Sequence, residues 1–184
     1  NMKNLPWTPL VIIVTMLFVA VFAPVLAPYS PTDQALADKL IPPFWEEGGT
    51  TKYLLGTDVF GRDVLSRLIY GARVSMIVSA LALLVGGGVG LVIGIVSGYV
   101  GGRLDNLLMR IVDAALAFPA ILFALLLAVT MGQGLRTLVI AISLLLWARF
   151  ARVVRGEVLA VKERDFVALA RVHGCSPARI MLTH

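Results

Sequence analysis

The chain has 184 residues, of which 59% are hydrophobic and only 15% charged, with a mean hydropathy of +0.90. A soluble domain carries about 45–50% apolar and about 25% charged residues, so lipid rather than water solvates much of this surface. The net charge of +5 does not point to nucleic acid, because the bases stand beside apolar spans, and a single cysteine, Cys175, excludes an internal disulfide and a cysteine-rich metal site.

Asn1, standing before Met2, reads as a trimmed start and is set aside. The first apolar span runs from Pro9 to about Ala27. With Lys3 ahead of it the span resembles a signal peptide. It outruns the usual apolar core of such a signal, however, and ends in Pro24 and Pro28 rather than a small-x-small cleavage site. A retained signal anchor with a cytoplasmic N-terminus is the better reading.

A polar region follows, Tyr29 to Arg73, with six acids and five bases and hence no inside bias. Gly56-Thr57-Asp58 and Gly61-Arg62-Asp63 read as tight turns, with Asp58 and Asp63 able to cap the amides that follow. Two carboxylates beside an arginine invite a hydrolase reading, but no histidine or apolar pocket accompanies them. The pattern LGTDxxGRDxxSRxxxGARxS instead closely resembles the signature ahead of the second span in "C"-type permease subunits of dipeptide, oligopeptide and nickel ABC importers, departing only at Met76, where the family has leucine. The resemblance places Gly56, Thr57, Asp58, Gly61, Arg62 and Asp63 on the extracytoplasmic side.

The second span, Val74 to Val96, has 23 residues without a charge. At 1.5 Å per residue that is about 34 Å of helix, enough to cross. Gly86, Gly90, Gly94 and Gly98 recur every four residues and line one face, where they let a neighbouring helix approach closely. A glycine-rich nucleotide loop is excluded, since no Lys-Ser/Thr follows.

The next string, GYVGGRLDNLLMRIVDAALAFP from Gly98 to Pro119, resembles the same family. Arg110 and Asp113 stand three apart and are expected to pair near the headgroups. Pro119 should kink the third span, Ala114 to Met131. The fourth span is short, with only 12 uncharged residues between Arg136 and Arg149. It spans about 18 Å against roughly 30 Å of hydrocarbon, so it crosses only if its arginines snorkel or face protein, and is otherwise re-entrant. Crossing returns the segment from Arg149 to Arg179, with seven Lys/Arg against three acids, to the cytoplasm.

That segment holds a short helix with both ends written in the sequence. Asp165 is a candidate cap, Phe166, Leu169 and His173 recur at helical spacing, and Gly174 stands where helices stop in the left-handed conformation. Ser176-Pro177 then reads as the start of another helix. Ala168-Leu169-Ala170-x-x-x-Gly174 resembles the cytoplasmic "EAA" loop of these permeases, with Ala168 where the family has glutamate. The resemblance implies a coupling helix that docks on an ATPase subunit, with Phe166 and Leu169 as anchors, Asp165 and Arg171 at the rim, and Ala170 and Gly174 completing the motif.

The sequence thus predicts an all-α polytopic protein of the ABC importer type I permease fold, with four spans, the start of a fifth, and the C-terminal spans missing. Residues 1–72 form the anchor and extracytoplasmic segment, and 73–184 the first part of the transmembrane domain, with its coupling loop at 154–176. The family implies a heterodimer with a related permease, two ATPase subunits carrying ATP and magnesium, an extracytoplasmic binding protein, and a bilayer around it. No cofactor, catalytic group or nucleic-acid surface is expected on this chain. Peptide is the favoured cargo and nickel the alternative, because no His/Met/Cys cluster lies in the spans. A channel or membrane scaffold is the competing class, but the spans lack the polar stripe of a pore.

Overall fold

A computed structural model describes residues 7–175. The expected fifth helix from Ser176 onward lies outside the described residues, as do the side chains of Ala168, Ala170 and Arg171. Among the described residues all regular structure is helical apart from one isolated β-bridge. The helices are α1 (Trp7–Leu26), α2 (Val64–Ala82), α3 (Gly88–Val100), α4 (Gly102–Ala117), α5 (Ala120–Met131), α6 (Leu135–Lys162) and α7 (Asp165–Val172). Two compact units, residues 1–77 and 78–184, divide the chain.

In the first unit α1 is 20 residues of nearly pure apolar sequence, long enough to cross a bilayer. Pro24 sits inside its last turn, where a missing amide removes only one ladder bond. The polar segment that follows closes on itself through turns and one 3-10 turn, Leu36–Asp38. Helix α2 begins at Val64, ten residues before the uncharged run. The Asp63 carboxylate accepts the Ser66 amide at 2.7 Å and so caps the helix end. Charge ended the apolar stretch at Arg73, but it did not end the hydrogen-bond ladder.

Val64–Val100 is 37 residues of helix, interrupted in pattern only by a π-helical turn at Leu83–Gly87. That turn matters for the glycine stripe. A strict four-residue repeat drifts by about 40° per step on a 3.6-residue helix. The wider π turn advances fewer degrees per residue and removes part of this drift, keeping Val78, Ala82, Gly86, Gly90 and Gly94, all buried, close to one face.

The second unit is organised on the contact between α3 and α6, its most extensive. A Cβ on Gly86 would lie 2.6 Å from Ser143 O, one on Gly94 2.7 Å from Val154 Cβ, and one on Gly98 2.8 Å from Val158 Cβ; Gly90 lies tightest, under the Trp147 carbonyl. Backbones this close gain dispersion contacts that lipid cannot supply. Against the pair packs α4, whose Val112 is buried with Ala148 and Ala151.

Two expectations about the spans need correction. The third is not a kinked helix but two helices bent by 81°, α4 and α5. Phe118 is extended (φ −78°, ψ 130°), because the proline ring after it disfavours helical backbone in the preceding residue. The fourth is no short segment. Helix α6 runs unbroken for 28 residues, about 42 Å, and two of its arginines meet acids of α4. Among the described residues three helices are long and apolar enough to span a membrane, or four if the bent pair counts as one crossing.

Candidate functional site

Two groups of sequence-predicted residues lie in different units and are taken in turn. In the first unit the signature residues knit one closed loop. Gly56 and Gly61 have φ of +75° and +72°, which L side chains rarely adopt, and each presses its α-carbon against a neighbouring backbone carbonyl, Ile41 O and Ala35 O. Thr57 bridges to Asp63 and its Oγ1 accepts the Ile41 amide at 2.9 Å.

Asp58 is the hub. Its carboxylate accepts the amides of Phe60 (2.9 Å) and Arg62 (3.0 Å). It also takes Arg62 Nε at 2.8 Å and Nη2 at 2.7 Å, and it pairs with Arg67. The Arg62 guanidinium above all, helped by the two amides, holds this carboxyl well below the usual carboxylate range and overcomes the opposing effect of desolvation. Asp38 is likewise lowered, chiefly by hydrogen bonds from Lys52 (2.7 Å) and the Tyr53 hydroxyl (2.8 Å), and Lys52 is raised in turn. Asp63 is 3% exposed; one oxygen caps α2, and the other has no hydrogen-bond partner among the described residues. Both carboxylates that had suggested hydrolysis are thus engaged in the loop's own architecture.

In the second unit α6 leads through a tight turn into α7. The Arg164 amide donates to Val161 O and the Val167 amide to Arg164 O, both at 3.0 Å. Asp165 is therefore the first residue of α7 and not the flanking cap expected for it. An acid there still lies favourably at the positive end of the helix dipole. Gly174 has φ +76°, and the helix ends at Val172, with His173 in the turn. Phe166 and Leu169 are exposed (46% and 58%), whereas Val167, at 2%, packs on Tyr99 and Val161. Val167 is the residue that seats α7, and sequence reasoning missed it.

A charged network missed by the sequence reading lies beside this turn. Arg155 donates from Nε and Nη2 to the two oxygens of Asp105, each at 2.6 Å, and the Ser97 hydroxyl donates to the same carboxylate. Lys162 Nζ donates to Tyr99 O at 2.6 Å and reaches Gly98 O at 3.5 Å. Asp113 pairs with Arg152 of α6, which corrects the expected local pair with Arg110. The available signal was a spacing: Asp105 and Asp113, eight apart on one helix, answer Arg155 and Arg152 on an antiparallel one. Among the described residues no three His, Cys, Asp or Glu side chains gather as a metal site would need.

Long apolar helices packed through glycine, with charged side chains paired between them, define a multi-pass membrane protein. Residues 90–184 match the family described as "Binding-protein-dependent transport system inner membrane component", and the chain belongs to it. Residues 5–43 match the "N-terminal TM domain of oligopeptide transport permease C". The chain is 42% identical to the dipeptide transport system permease protein DppC of Escherichia coli (strain K12), over 94% of this chain and 57% of the relative. It is 38% identical to the di/tripeptide permease DppC of Pseudomonas aeruginosa, over 94% and 57%. Against the oligopeptide permease OppC of Bacillus subtilis it is 36% identical, over 99% and 58%. The chain thus spans a little over half the length of these relatives.

Proposed function

We propose that this chain is part of the membrane-spanning permease subunit of an ATP-driven ABC importer. It moves di- or oligopeptides across a bacterial or archaeal cytoplasmic membrane by alternating access. The observation that carries this reading is the match, over nearly the whole chain, to permeases named for dipeptide and oligopeptide transport. Those names favour peptide over nickel as cargo. The chain itself is no enzyme in this reading; ATP and magnesium belong to two ATPase subunits, and a related permease and an extracytoplasmic binding protein complete the system.

The α6–α7 elbow supports a mechanical role. Helix α7 is two turns long and unstable alone, yet Val167 seats it on Tyr99 while Phe166 and Leu169 face outward. Those two are the apolar anchors for an ATPase cleft, with Asp165 and Arg171 at the rim and Ala170 and Gly174 closing the segment. In this reading the excess of bases from Arg149 to Arg179 favours the cytoplasmic side for the end of α6 and for α7, and four crossings before them put the N-terminus on the same side.

The test is capture of the full-length chain from membranes, with ATP hydrolysis and uptake of labelled dipeptide and of nickel measured on the captured assembly. Two ATPase subunits, one related permease and dipeptide uptake are expected. Capture of nothing that hydrolyses ATP would sink the importer in favour of a membrane scaffold, and uptake of nickel alone would overturn the cargo.

A further inference from the structure

The foot of α3 is tied to three other elements by groups that the glycine packing does not need. Asp105, 7% exposed, stands in the first turn of α4 and holds Ser97 of α3 and Arg155 of α6 at once. Two turns further along α6, Lys162 reaches the carbonyls of Gly98 and Tyr99, which lie in the last turn of α3. The Lys162 ammonium also sits 5.7 Å from the centre of the Tyr99 ring. Tyr99 is therefore gripped by α6 at its backbone and by α7, through Val167, at its side chain.

Stability alone does not account for this network. Gly94 and Gly98 already seat α3 on Val154 and Val158. A buried ion pair gains little over apolar packing of the same volume, whereas a bidentate one fixes direction and register. We infer that Asp105, Arg155, Ser97 and Lys162 are positioning residues that join the foot of α3, the start of α4, the end of α6 and α7 into one rigid block. Displacement of α7 then reaches the α3–α4 turn directly, through Tyr99, and not only by leverage along α6. This rests on the reading of α7 as the helix that meets the ATPase.

Two measurements on the full-length chain in its assembled, reconstituted complex test it. In a Cys175→Ser background, Tyr99→Cys and Val167→Cys are bridged with a short, reducible thiol cross-linker. A rigid block keeps dipeptide transport within about twofold of the reduced sample. A loss of about tenfold, reversed by reductant, shows that α7 moves against α3 and overturns the inference; both limits are set by the roughly 5–150-fold range of coupling between sites. Secondly, Asp105→Asn and Arg155→Lys are expected to leave ATP hydrolysis by the complex near wild type while transport per ATP falls about tenfold. Unchanged transport per ATP also overturns the inference. If these variants do not assemble, the cross-link alone decides. An assembly that lacks ATPase subunits altogether instead removes the importer reading, and is recognised before either measurement begins.

Discussion

Gly90 and Phe150 are in contact at a distance that admits no side chain: a Cβ on Gly90 would lie 2.6 Å from the Cβ of Phe150, and closer still to Trp147 O. The neighbour on one side is backbone, which cannot swing away. Gly90→Ala is therefore expected to destabilise by about 1–3 kcal/mol, the usual cost of overpacking, and Gly90→Leu by more. Gly88, two residues earlier, has nothing within 4 Å of an added Cβ; Gly88→Ala should be neutral or gain a few tenths of a kcal/mol from helix propensity. Thermal unfolding and monodisperse yield in detergent separate the two. Equal behaviour of both variants would mean that α3 and α6 do not meet at Gly90.

The Asp58 hub makes a pH prediction whose sign follows from its partners. Its carboxyl is lowered, so its contribution is complete above the unfolded value of about 3.9 and is lost as pH falls through the lower, folded one. Lys52 is raised, so its contribution is complete below about 10.4 and is lost as pH rises through the higher, folded value. Hydrogen-exchange protection of the Phe60 and Arg62 amides, corrected for intrinsic rate, should be level from about pH 5 to 9. Asp58→Asn should remove that protection at every pH in the window. Protection that persists in the variant would assign the loop's closure to Gly56 and Gly61 instead.

The two acids of α4 should respond differently to the same change. Asp113 and its partner Arg152 are both more than half exposed, so Asp113→Asn is expected to cost less than about 1 kcal/mol and to leave transport intact. Asp105 is buried and bidentate, and its loss strands the Arg155 guanidinium against the protein. Unfolding midpoints of the two asparagine variants, measured side by side in one detergent, give the comparison. A larger loss from Asp113→Asn than from Asp105→Asn would reverse the roles given to these pairs.

What the sequence made visible divides along physical lines. Periodicity was legible: the glycine repeat has a face in any helix, and Gly174 marks its stop by needing a left-handed backbone. Compositional length was legible for α1. What failed were the inferences that read charged residues from their local spacing alone. Arg110 and Asp113 are well spaced to pair, but such a pair is worth only a few tenths of a kcal/mol, and the packing of Val112 on Ala148 and Ala151 brings α6 near enough for Arg152 to take the carboxylate. Charges at Arg136 and Arg149 suggested a short fourth span, but α6 runs on through both, and the arginines that meet acids of α4 are Arg152 and Arg155. The π turn at Leu83–Gly87 was not read from the sequence.

Neighbouring residues on α7 should separate seating from docking. Val167 is buried against Tyr99 and Val161, so Val167→Asp places a charge in an apolar seat and should release α7 from the rest of the unit. Phe166 and Leu169 are exposed among the described residues, so a change there removes little packing. Phe166→Asp is thus expected to leave the midpoint of thermal unfolding within about 0.5 kcal/mol of wild type. In the assembled transporter the same variant should lower peptide transport by about tenfold or more, as loss of a central apolar anchor does. If transport stays coupled to ATP hydrolysis in Phe166→Asp, the outward face of α7 is not where the ATPase binds. If instead Phe166→Asp unfolds the chain as readily as Val167→Asp, the helix presents its other face, and the anchors must be sought there.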